Sequence, residues 1–402
     1  MWGLLTSYWR TRGTFNITPS DPYPFYDLSI ELPTLRPRTW TLNQIVQEIQ
    51  YMLLENPSGI SGAGMSQQIS IGNILNAVSD GLNRFLLDAH FPISIHEEFG
   101  NPPPPTGMIQ FSQNTVFVHR AAWRDVPGGI WANLWRQDSW ASDWNNTQWT
   151  IEPGPPSVYS EAENAPLMLQ LVPPPINEGV LEALTVDSNV INLGVGSSLL
   201  GIPDEWIPAV KYAALSQILS ADSQINDPLR AQYAETRYGQ LMDFAKNAKS
   251  IIRALCNNLP LQLDPLASID MGYPTWRNQV GPPINGGVLY DIMSINPGTP
   301  DQTYGIAADV VQAAPIPLGS NNYIPVGEEQ IDSIKSYAMH ILTFKCGGNE
   351  FKSTMSGHDA FMKAVATRKG VNAAKIKYLE PIFGQYQREE ALRPDIMEMP
   401  NA

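Results

Sequence analysis

The sequence predicts an α+β protein in which a core of helical hairpins or a small bundle carries two inserted, mainly β modules. Three observations predict it. Apolar residues recur at helical spacing in several separate stretches. Between those stretches the pattern shifts to short apolar or alternating runs broken by proline and glycine. The chain of 402 residues has 35 prolines yet only 16% charged residues, a balance that suits ordered loops and buried surface rather than disorder.

Residues 1–40 include "TPSDPYPFYDLSIELPTLRPRT". Proline removes backbone donors and pins the chain open, so this stretch reads as an extended N-terminal arm or an edge strand. Core helices fill 41–100. Thr41 caps a helix with Ile45, Ile49, Met52 and Leu53 on one face, and a second runs from about Ile71 to Asp88 with Ile74, Leu75, Val78, Leu82 and Phe85 inward. A first β module, rich in tryptophan and acid, spans 101–202, where "TVFVHRAAW", "LMLQLV" and "GVLEALTV" read as strands. A helical hairpin is expected over 203–258. Ile207, Val210, Ala214 and Ile218 line its first helix. Asp227 and Pro228 start the second as cap and first residue, and Leu241, Ala245, Ala248, Ile252 and Leu255 stay in step along it. A second β-like module follows at 259–326, then a second hairpin at 327–370 with Ile331, Ile334, Ala338 and Ile341 aligned, and a C-terminal helix and tail at 371–402. The order also fits an internal duplication, since Glu205, Ile207, Lys211 and Ala214 fall on Glu329, Ile331, Lys335 and Ala338.

The net charge of −14 argues against a general phosphate-gripping surface. Its distribution is uneven. Residues 137–210 hold ten acids and no Lys or Arg, and residues 278–334 hold six acids and none. Such modules would suit a place where repulsion of anions is useful. The two cysteines, Cys256 and Cys346, lie in no metal-like spacing and read as buried thiols in a reducing compartment. The first residues, "MWGLLTSYWRTRG", lack the apolar core and cleavage site of a signal peptide, and no window is apolar enough to span a membrane.

The sequence carries none of the common hydrolase, phosphate-loop or zinc-protease signatures, so no catalytic, cofactor-binding or metal-ligating residue is assigned. His90 and His96 bracket "FPISI"; imidazoles beside a turn explain them more simply than a metal pair. The unusual feature is the cluster Trp123, Trp131, Trp135, Trp140, Trp144 and Trp149, with Asp138 and Asp143 among them. Trp131, Trp135 and Trp140 are expected in a core or an interface, where tryptophan is favoured. Stacking on sugar, or glycoside hydrolysis by the two carboxylates, is the alternative. The stretch "KAVATRKGVNAAKIK" (363–377) has five cations and no acid, which reads either as an ordinary solvated helix end or as a docking segment for an acidic partner, with Arg368, Lys369, Lys375 and Lys377 the candidate contacts.

"IPDEWIPAVKYAALSQILSADSQINDPLRAQYAETRYGQL" resembles the head-to-tail adaptor (connector or neck) proteins of tailed bacteriophages. "AAWRDVPGGIWANLWRQDSWASDW" and "FPISIHEEF" look like the same lineage, so the likeness covers roughly 41–255. The resemblance implies a non-enzymatic virion protein, made in the host cytoplasm, that assembles with itself into a ring, commonly twelvefold. Its partners would be the portal above, the tail or nozzle below, and double-stranded DNA passing through without tight binding. No cofactor and no membrane are implied. Another tail, nozzle or baseplate ring, or a glycan-binding tail module built on Trp123–Trp149, are the rival expectations. The charge pattern predicts little affinity for duplex DNA at physiological salt. Filter binding across a salt series checks this, and tight, salt-sensitive retention would contradict it.

Overall fold

The computed structural model describes residues 9–21, 24–33, 37–53, 69–90, 93–100, 107–112, 114–126, 129–145, 148, 151–161, 168–187, 195–221, 226–247, 251–312 and 328–367. Along the chain these build β1 (Trp9–Ile17), β2 (Phe25–Asp27), α1 (Leu28–Glu31), α2 (Leu42–Met52), α3 (Ile71–Ala89), β3 (Ser94–Gly100), β4 (Met108–Gln110), β5 (Thr115–Asp125), β6 (Ala132–Arg136), α4 (Ser139–Asn145), β7 (Val158–Glu161), β8 (Met168–Val172) and β9 (Gly179–Asp187). Then come α5 (Ile207–Ser220), α6 (Pro228–Asn247), β10 (Ile251–Cys256), β11 (Leu259–Pro265), α7 (Leu266–Gly272), β12 (Val280–Gly281), β13 (Asn285–Leu289), β14 (Ile292–Asn296), β15 (Thr299–Pro300), β16 (Tyr304–Gln312), α8 (Glu328–Phe344), α9 (Gly348–Ser353) and α10, over 355–367. The architecture is mixed α+β.

Among the described residues two seven-stranded sheets form, together with the small pair β12–β15. One sheet runs β1-β16-β10-β11-β13-β14-β2, and the other runs β3-β9-β5-β6-β7-β8-β4. The first is assembled from both ends of the sequence. β1 lies antiparallel to β16 with Trp9 opposite Gln312, and β2 closes the far edge against β14. The N-terminal prolines therefore flank edge strands, where a missing donor is tolerated. Asp309 of β16 binds Arg12 of β1 and Arg253 of β10, each at 2.7 Å. Burial alone would raise its carboxyl; the two guanidinium groups hold it below the usual range.

Helix starts follow their local chemistry. Thr41 and Gln44 form a reciprocal capping box at α2, Ser70 caps α3, and the Asp227 carboxylate accepts from the Arg230 amide ahead of α6. Ile45, Ile49, Ile74, Val78, Leu82, Phe85, Ile207, Val210, Ala214, Ile218, Leu241 and Ala245 all enter one buried cluster, as their spacing predicts. α3 and α5 approach closely because Gly81 faces Ala213 and Ala214. A Cβ there would meet the Val210 carbonyl oxygen at 3.1 Å.

Several expectations need correction. The helix expected through Leu255 ends at Asn247, and Ile252 and Leu255 belong to β10. Asn257 and Asn258 both take left-handed φ and turn β10 back into β11, the two-residue turn that suits asparagine. The second β region thus begins at 251 rather than 259. α8 is rotated from the expected face. His340 and Phe344 are buried, whereas Ile331 and Ala338 are exposed, because aromatic rings of α6 and α9 fill the space beside His340. Cys346 is exposed and Cys256 half-buried, so neither is a fully buried thiol. No helix among the described residues is long and apolar enough to cross a membrane.

Gly81→Leu should destabilise the protein by about 1–3 kcal/mol through overpacking between α3 and α5. Gly72→Ala, where a Cβ meets only the Ser70 hydroxyl at 3.9 Å, should be neutral or slightly stabilising. Urea denaturation of both variants checks this close approach.

Candidate docking surface

The surface is held in place by a buried group of charges between the second sheet and the α7 region. Arg120 on β5 donates through Nε to Asp270 Oδ2 at 2.9 Å and through Nη2 to Oδ1 at 3.2 Å, and its Nη1 lies 3.4 Å from Glu182 Oε1. Arg277 donates to the other Glu182 oxygen at 2.5 Å. Asn133 of β6 joins by donating to Asp270 at 2.9 Å and accepting from Arg120. Trp276 donates its indole N–H to Asp270 at 2.9 Å. Arg120, Glu182, Asp270 and Arg277 are all buried, and their formal charges cancel. A reciprocal pair finishes the seam: Asn278 accepts from the Trp131 amide at 2.8 Å and donates to its carbonyl at 2.9 Å.

The tryptophans divide across this seam. Trp123 is core, its indole lying against Gly179 and donating to Asp125 at 2.8 Å. Trp131 is buried, with the guanidinium groups of Arg124 and Arg277 within 4.7 and 5.1 Å of its ring. Trp135, two residues beyond Asn133, shares its face of β6. Trp135 is 49% exposed. α4 then reverses the usual helical pattern. Asp138 accepts from the Trp140 amide at 3.0 Å at its start. Ser142 is buried at 2% exposure, while Trp140 and Trp144, at i and i+4 on one face, are 79% and 91% exposed. Of the three expected core or interface aromatics, Trp131 therefore lies in an internal seam, and Trp135 and Trp140 are open. Trp149, Arg368, Lys369, Lys375 and Lys377 lie outside the described residues, as does the side chain of His96.

Two histidines are kept neutral away from this face. His119 donates from Nε2 to the His90 carbonyl at 2.7 Å, and burial lowers its pKa to about 4. His340 sits 2.9 Å from the Thr354 hydroxyl with its ring stacked on Phe351. Burial, then the neighbouring His358 and Arg237, lower it to about 4. Among the described residues no group of three or more His, Cys, Asp or Glu is placed to hold a metal ion.

No protein-family model and no curated protein matches the chain. The network residues were not singled out from the sequence. Their one local signal is a lone charge inside an apolar strand: Arg120 in "TVFVHRAAW" and Glu182 in "GVLEALTV".

Removing one partner of a buried pair leaves the other charge uncompensated. Glu182→Leu or Arg277→Met alone should each cost about 3–5 kcal/mol. The double variant should lose clearly less than the sum, and additivity in chemical denaturation would show that the two do not interact. Acid supplies a second check. Unfolded His119 and His340 take protons below about 6.5 and the folded forms only near 4, so stability is full above pH 6.5 and falls as pH drops toward 4. His340→Phe should flatten part of that slope in thermal melts.

Proposed function

We propose that this chain is a structural component of a tailed-phage virion, a ring-forming head-to-tail adaptor that links portal to tail and frames part of the DNA passage. The observation that carries this reading is the inverted helix α4, which buries a serine and presents two tryptophans outward. Exposed tryptophan on an ordered helix marks a face meant to be covered by another macromolecule. The resemblance of 202–241 to neck proteins names the setting, and α5 packed against α6 supplies the helical hairpin that such adaptors place side by side. The acidic character of both β regions suits a wall along which DNA slides without adhering. An internal duplication belongs to the same reading, with one reservation in chemistry: Ile207 is buried and Ile331 is exposed, so the matching helices answer to different packings.

Symmetry-averaged imaging of intact particles tests the assignment. A closed ring of this chain between portal and tail is the expected result, and a station elsewhere in the tail, nozzle or baseplate would transfer it to the rival ring. The open tryptophans also favour a second reading, a glycan-binding tail module. Trp135→Ala with Trp140→Ala separates the two. Folding should be retained, because both side chains are exposed; assembly should fail, and sugar binding should be absent in wild type and variant alike. Saccharide binding by wild type that the variant loses would favour the glycan module.

A further inference from the structure

We propose that the tryptophan face of α4 receives the basic stretch 363–377 of a second copy of this chain. The inference rests on the ring reading above and supplies the contact that would repeat around it. The face is aromatic and is flanked by a carboxylate. Asp138 is exposed at the start of α4, no Lys or Arg occurs from 137 to 210, and Arg136 beside Trp135 is already taken by Glu161 at 2.7 Å. Such a face selects long cationic side chains, which lay methylenes along an indole and place their charge near the ring.

The stretch 363–377 has that chemistry, with five cations, no acid, and Val365, Val371 and Ile376 between them. The described residues that precede and begin it lie in the helical layer. Phe361 of α10 stacks on Tyr337 of α8 with centroids 4.5 Å apart, and His358 lies 5.9 Å from Tyr233 of α6. Lys363 is exposed at that end. Giver and receiver are thus different segments, the described part of the one ending α10 and the other lying on α4. A contact between unlike patches is heterologous, the kind that closes into a ring when its rotation allows.

The probe is a labelled peptide with the sequence of 363–377, read by fluorescence anisotropy. The receptor is the full-length chain carrying R368E, K369E, K375E and K377E, so that its own stretch cannot compete. Binding should occur and weaken as salt rises. Adding W140A and W144A should weaken it by at least about tenfold with the melting temperature unchanged. Equal binding with and without the tryptophans, or no binding, overturns the docking. Mixing full-length W140A/W144A with the charge-reversed chain gives the second readout: each should be monomeric alone, and together they should form a one-to-one pair. A mixture that stays monomeric counts against docking between copies. Rings on the particle that persist without Trp140 and Trp144 would leave the adaptor standing and remove this contact; a pair without any ring in the particle would do the reverse.

Discussion

The buried meeting of Arg120, Glu182, Asp270 and Arg277 fixes how the second sheet sits against the α7 region. Each charge alone would lose several kcal/mol of hydration in such a place. Together they cancel, and Asn133 and Trp276 occupy remaining sites on Asp270. Net stabilisation from a group of this kind is small. What it supplies is one permitted alignment, since a shift of the seam would strand an ion among Phe25, Trp131 and Trp276.

The charge runs in the sequence take on a different meaning in three dimensions. Residues 137–210 contain no cation, yet Glu161 is met by Arg136 and Glu182 by Arg120 and Arg277. Residues 278–334 likewise contain none, yet Asp309 is met by Arg12 and Arg253. The counter-charges come from residues that flank the runs or arrive from distant parts of the chain. Part of the apparent acidity of each β module is therefore internal and compensated.

Legibility followed the range of the interactions. Thr41 with Gln44 and Asp227 with Pro228 act within one turn, and both helix starts were readable. Ile252 and Leu255 continue the helical spacing in sequence, but in β10 residues three apart point to opposite faces, so the spacing alone does not make them helical. The deciding signal was the Asn257–Asn258 turn just beyond it. α8 misled because aliphatic residues were weighted over His340, whose ring packs as an aromatic body against Phe351 and Tyr233. The charge network was illegible for a simpler reason. Its partners stand 62, 95 and 150 residues apart, and no local pattern encodes such pairs. Trp140 and Trp144 were visible as unusual composition, but their exposure depended on knowing that Ser142 turns inward.

The pairing of β1 with β16 bears on biogenesis. Arg12 and Asp309 are 297 positions apart, so β1 waits for β16 before it gains its neighbour. Closing so long a loop is entropically costly and kinetically late. A chain cut short before residue 304 has no β16 and leaves Phe15 and Ile17 without the strand they pair with, apolar surface for chaperones and proteases to recognise. The order of the first sheet thereby depends on β16, and a chain without that strand exposes an apolar face that the whole fold keeps covered.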